Sequence, residues 1–196
     1  MRNIWLAVVV TSLALGWAAC ASEDPDIRRG NTFYKNRQWD AAFQAYERAV
    51  EKDPANLETV REKLVNAYYY HGGQYEMNDS LDAAVKYYEK GFAYDPTDMA
   101  ICNKLANYYW EREDFEKAAH YFERLVELDA EAPDTEEKWR VLGQDYYALG
   151  YAWFETGELE KAIEAFEQSL QASPKGEFAG KAKSAIEAAK QKIEKK

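Results

Sequence analysis

One pattern returns four times along this 196-residue chain. A bulky apolar residue is followed three positions later by a small one and four later again by an aromatic. A small or apolar residue comes three further on, and usually a proline after that. It reads Trp39, Ala42, Tyr46, Ala49, Pro54, and then Leu81, Ala84, Tyr88, Gly91, Pro96. The third copy is Phe115, Ala118, Phe122, Leu125, with Ala130 in the proline's place, and the last is Leu159, Ala162, Phe166, Ser169, Pro174. Spacings of three and four put each set on one helical face. The small residue lets a neighbouring helix approach, the aromatic fills the space beside it, and proline cannot continue the helical ladder. A second amphipathic stretch precedes each copy, over 27–35, 57–70, 100–110 and 143–154. The chain therefore reads as all-α, a string of helix–turn–helix units.

Within the upstream stretches, Gly30 and Phe33, and later Leu149, Gly150 and Trp153, occupy the leucine–glycine–aromatic positions of a tetratricopeptide repeat. With the recurring pattern, the chain resembles that family over roughly residues 23 to 174, whose period is about 34 residues. The resemblance implies an α-solenoid, a right-handed superhelix of about four units, at about 26–54, 55–96, 97–132 and 133–174. Two intervals exceed the period: Pro54 to Pro96 is 42 residues and Ala130 to Pro174 is 44. The first surplus is assigned to residues 71–80, where Gly72 and Gly73 are expected to break a helix and Asp79 with Asp82 to begin the next. The second precedes unit four, where Pro133-Asp134-Thr135-Glu136-Glu137 reads as the capped start of an early, long helix. Trp139 and Leu142 would then pack against unit three. Each surplus is either part of a binding face or a tolerated surface insertion.

Residues 175–196 carry seven lysines and three glutamates, whereas 22–174 carry 17 basic and 32 acidic residues. Phe178, Ala182, Ala185, Ile186, Ala189 and Ile193 form an apolar stripe there, which suits a solenoid's capping helix with a polar outer face; a basic arm is the alternative. At the other end, Met1-Arg2-Asn3 precedes an uncharged apolar run over 4–19, too short for a membrane span of about 20 residues. It reads as a leader over 1–20, followed by a short linker over 21–25. Trp17-Ala18-Ala19-Cys20 resembles the lipobox of bacterial lipoproteins, with Trp17 where leucine is usual. That resemblance implies lipidation of Cys20, an anchor in the membrane and, with Ala21 following, the periplasmic face of the outer membrane. Cleavage after Ala21 would instead free a soluble periplasmic or secreted protein. The other cysteine, Cys102, falls on an inner helix face with Leu105, Ala106 and Tyr109 and reads as a buried structural thiol.

No signature of catalysis accompanies these helices. His71 and His120 are far apart, and no phosphate loop, serine elbow or Cys-x-x-Cys pair occurs. The acidic pairs read as solvated faces, and a net charge of −10 disfavours nucleic acid. Neither a metal nor a cofactor is expected, and an enzyme is not. In the family the first helix of each unit lines a concave floor. Carried onto this chain, that floor holds Asn31, Tyr34 and Lys35; Arg61, Val65, Tyr68 and Tyr69; Asn103, Asn107 and Trp110; and Gln144, Tyr147, Tyr151 and Phe154. Asn31, Lys35 and Arg61 are only a fragment of the carboxylate clamp of chaperone-binding relatives. Amides that grip peptide backbone, beside broad aromatic faces, suit an extended peptide or a helix from a protein partner. The leading reading is a lipid-anchored envelope adaptor. Glycan binding on the aromatic platform and a structural role in an oligomer stand as alternatives, and the oligomeric state is open.

Overall fold

The computed structural model describes residues 23–195; the leader, Cys20 and Ala21 lie outside them. Nine helices and no strand are found among the described residues. They are α1 (Pro25–Lys35), α2 (Trp39–Lys52), α3 (Asn56–Glu76), α4 (Leu81–Tyr94), α5 (Met99–Glu111), α6 (Phe115–Glu131), α7 (Glu136–Thr156), α8 (Leu159–Ala172) and α9 (Ala179–Glu194). Each helix packs on its neighbours in the chain, and α1 also reaches α3 as α7 reaches α9. Odd-numbered helices up to α7 are the first helix of a unit and even-numbered ones the second, and α9 packs on α8.

The recurring residues are what hold each pair together. Ala42, Tyr46, Ala84, Tyr88, Ala118, Phe122, Ala162 and Phe166 are all buried. Sixteen positions before each aromatic stands a small residue on the first helix: Gly30, Gly72, Ala106 and Gly150. A Cβ at Gly30 would lie 2.5 Å from Tyr46 Cε1, at Gly72 2.7 Å from Tyr88 Cε1 and at Gly150 2.8 Å from Phe166 Cδ1. Close-packed interiors do not absorb such overlaps, so glycine sits where the ring crosses the helix.

This corrects the expectation that Gly72 and Gly73 break a helix. α3 runs unbroken through both, because Gly72 is the contact glycine of unit two. The surplus residues instead lengthen the helix at its start. α3 begins sixteen residues before Gly72 and α7 fourteen before Gly150, against seven from the start of α5 to Ala106. Two extra turns result, and they carry core: Val60 and Leu64 are buried with Ala42, Phe43 and Ala49. At α7, Thr135 caps as its sequence suggests, its Oγ1 accepting from Lys138 N at 3.0 Å. Leu142 is buried with residues of unit three, but Trp139 remains 42 % exposed and donates its indole N–H to Asp134.

Inside every unit the turn has one form. The N–H of Gln38, Ser80, Asp114 and Glu158 donates to the carbonyl five residues back, at 2.9–3.0 Å, closing the first helix with a Schellman bond. The residue before each lies in the left-handed region: Arg37 (φ 56°), Asp79 (φ 54°), Glu113 (φ 57°) and Gly157 (φ 86°). Asp79 is therefore a turn residue, and Ser80 is the cap position of α4. Prolines end the second helices, since α2, α4 and α8 stop two residues before Pro54, Pro96 and Pro174. Without a proline at Ala130, α6 runs on to Glu131.

Cys102 is fully buried, and burial, aided by Asp98, pushes its thiol up to about 11. On α9, Ala182 and Ile186 pack on Ala162 and Phe166, and Ala179 and Ala189 are buried too. Its lysines are exposed, and Lys192 extends over the Phe154 ring.

Candidate binding groove

The first helices of successive units present depressions that join end to end. Between units one and two lies an open cavity of about 680 Å³ whose lining includes Tyr34, Trp39, Tyr69, Tyr70, Glu76 and Tyr88. Glu76 and Tyr88 also line the next, of about 210 Å³, with Lys104 and Asn107. Asn107 then lines a third, of about 270 Å³, between units three and four. That last cavity gathers five residues expected on the floor, Asn103, Asn107, Trp110, Gln144 and Tyr147, with Phe122, Asp145, Ala148 and Phe178.

Other floor residues are placed differently. Tyr151 is half-buried with its ring 5.2 Å from that of Trp110, and Phe154 lies under the Lys192 ammonium at 3.8 Å. Asn31 links units one and two, accepting from Tyr46 at 3.1 Å and from Lys63 of α3 at 2.7 Å; Lys35 is exposed outside these cavities. Val65 is buried in the core with Ile101 and Leu105 rather than on the floor, and two further assignments are corrected. Tyr68 is 0 % exposed, stacked on Phe43 at 4.5 Å and donating to Glu47. Arg61 pairs with Glu58 and lines none of the three cavities. At about 100° per residue, both lie across the helix from Asn66 and Gly73, which share the face of Tyr69 and Tyr70. The displaced register follows from treating Gly72 as a breaker; the sixteen-residue interval to Tyr88 would have fixed it.

Two adjacent steps of the groove differ in electrostatics. Between units two and three, Lys104 donates to Glu76 at 2.8 Å, as does Tyr88 at 2.8 Å. Burial pushes the Glu76 carboxyl up, but these two donors outweigh it and hold it below the ordinary range. Between units three and four, Ala148 stands where Lys104 stands one repeat earlier, and Trp110 where Glu76 stands. The shorter Ala148 leaves the space that becomes the cavity.

Asp145 reaches this cavity from a position held by buried, apolar Ala67 and Ile101 in the two preceding units. It is 8 % exposed. Burial first, and the neighbouring Asp129 carboxyl second, push its pKa up to about 8. Asp129, on α6, is 6 % exposed, and its Oδ2 has no hydrogen-bond partner among the described residues. A proton kept on Asp145 supplies the donor that this pair of acids needs. Sequence spacing offered a signal for Asp145, an acid in an apolar column, which the floor positions alone did not include. Among the described residues no cluster of three or more His, Cys, Asp or Glu is arranged to hold a metal, and no helix is long and apolar enough to cross a membrane.

Three stretches, residues 27–56, 100–131 and 143–175, match the tetratricopeptide repeat. Over 115 residues the chain is 25% identical to the general transcriptional corepressor trfA of Dictyostelium discoideum, covering 59% of this chain and 8% of that protein. Over 121 residues it is 25% identical to heat shock protein STI1 of Saccharomyces cerevisiae, covering 62% and 19%. The chain thus spans less than a fifth of either curated relative. Among solved structures, the N-terminal domain of stress-induced protein-1 (STI-1) from C. elegans superposes with a TM-score of 0.53 at 21% identity, over 64% of this chain and 96% of that one. MamA AMB-1 superposes with a TM-score of 0.54 at 18% identity, over 86% and 80%. The chain carries tetratricopeptide repeats arranged as an α-solenoid.

Proposed function

We propose that this tetratricopeptide-repeat chain is a non-catalytic protein-interaction scaffold, holding a peptide or helical segment of a partner along the face formed by its first helices. The supporting observation is the line of joined depressions that ends in the cavity between units three and four, where amide and aromatic side chains meet. Asn103 and Asn107 are exposed and both donate and accept, the capacity needed to hold a peptide backbone in register. Trp110 and Tyr147 are half-buried, so their positions are set before a ligand arrives. We propose further that Cys20 carries lipid and that the scaffold serves an assembly of the bacterial envelope, on the periplasmic face of the outer membrane. The sequence around Cys20 supports that part.

Capture from detergent-solubilised membranes tests the groove. The native protein should retain a partner that Asn107→Ala with Trp110→Ala releases, each change weakening capture by about 1–2 kcal/mol, as groove anchors do. Equal retention by both forms would move binding off this face. Cys20→Ser should shift the protein from the membrane to the soluble fraction, and continued sedimentation with membranes would remove the lipid anchor from the account.

A further inference from the structure

We propose that the cavity between units three and four receives the cationic tip of a lysine or arginine side chain carried by the partner segment. The inference rests on the groove reading above and names the chemistry of one contact within it. A cavity of about 270 Å³ is small for a whole ligand and has room for one long side chain with its solvent. Its walls are the rings of Trp110, Phe122, Tyr147 and Phe178, with the amides of Asn103, Asn107 and Gln144 at the mouth. Aromatic faces attract cations, and amide oxygens complete their hydrogen bonding. Asp145 carries the one carboxyl among the lining residues, and no lysine or arginine is among them.

The buried Asp26 and the partly buried Glu76 have cations of their own. Asp26, 4 % exposed, is held by Arg48 at 3.4 Å and by Lys52. Glu76 has Lys104 one step along the same groove. Asp145, standing where a repeat earlier the chain keeps Ile101, has instead a second acid, Asp129, beside it. A buried carboxyl without a cation is costly, and Ala148 removes the lysine that would otherwise occupy this step. Own-chain cations near the site include Lys181, 5.0 Å from the Phe178 ring on the exposed side of α9, and Arg140, which lines the adjoining depression that shares Gln144 and Phe178 and is paired with Glu137. An incoming ammonium or guanidinium takes over the role of the proton on Asp145, which leaves to solvent. The strongly acidic body over 22–174 draws such a segment in.

Peptide libraries with one fixed central residue provide the test. Sets of peptides about ten residues long, centred on lysine, arginine, norleucine or glutamate and otherwise uncharged, are passed over the immobilised full-length protein in detergent. Lysine- and arginine-centred sets should be retained at least about tenfold better than norleucine-centred ones. Asp145→Asn, close in size to the protonated acid, should erase that difference while still melting cooperatively. Trp110→Leu, which keeps an apolar wall without the indole face, should reduce it. Retention of all sets alike, or a preference that survives Asp145→Asn, would overturn the cation assignment and leave the peptide groove standing. No retention of any set by the native protein would overturn both. Concentration-dependent self-association lost in Asp145→Asn would seat the lysine-rich α9 of a second copy there and overturn the assignment to a separate partner.

Discussion

The step between units two and three and the step between units three and four are built on one plan and finished differently. Both are crossings of successive first helices over a buried aromatic, Tyr88 in one and Phe122 in the other. In the first, the chain closes its own electrostatics with Lys104 on Glu76. In the second, Ala148 withdraws the lysine, Trp110 replaces the glutamate, and an acid enters a column that is apolar in earlier units. A repeat protein can thus build a site by changing a few positions in one unit, because the neighbouring units keep the scaffold in place. The site is legible as the place where repetition fails.

The largest effect expected from this difference is on pH dependence. In the folded chain Asp145 keeps its proton up to about pH 8, whereas an unfolded aspartate loses it near pH 4. Between those values the folded state binds more protons, so stability falls as pH rises, by up to about 1.4 kcal/mol per pH unit. Glu76 and Asp26, both held below the ordinary range, act the opposite way and lose their contribution as pH falls through the acid range. Urea denaturation across pH 5 to 8 should show stability falling with pH, and Asp145→Asn should flatten the fall. An unchanged slope in the variant would mean that another group sets it.

A second prediction concerns the register on which the comparison depends. Gly72→Val should destabilise by about 2–3 kcal/mol, because the new side chain meets the Tyr88 ring. Gly73→Ala, with only the Tyr88 hydroxyl at 3.9 Å, should instead stabilise by about 0.5–1 kcal/mol. Similar melting temperatures for the two would show that Gly72 is not the contact glycine. Next in size, Lys104→Met should cost about 1 kcal/mol or less, as the pair is partly exposed, and should bring Glu76 closer to an ordinary carboxyl in an NMR titration. The smallest effect is at the turns. Asp79→Gly should add about 0.5–1 kcal/mol, since φ there is 54° and glycine already fills the matching place at Gly157; a loss of stability would mean that the Asp79 side chain holds the turn.

Most of the helical plan could be read from the chain. The spacing of Trp39, Ala42 and Tyr46 and its copies specified the second helices closely, because a proline or its absence marks where each ends. The long start of α7 was announced by Thr135 and the acids after it. The long start of α3 was not, since Gly72-Gly73 is the local signature of a break and only the contact with Tyr88 reveals its other purpose. That one mistaken boundary carried Arg61 and Tyr68 to the wrong side of the helix. Asp145 escaped notice for a different reason. Its meaning lies in the loss of Lys104's counterpart and the nearness of Asp129 on another helix, and neither is local in sequence.

Ala148→Lys is the most direct trial of the account, because it gives the step between units three and four the lysine that its neighbour has. Ala148 is half-buried at the cavity edge, so the new side chain can extend toward Asp145 without disturbing the helix. Measured as retention of lysine-centred peptides beside a thermal melt, the variant should fold as the native protein does and lose the peptides. Undiminished retention by a folded Ala148→Lys protein would contradict the claim that this cavity is where the partner is held.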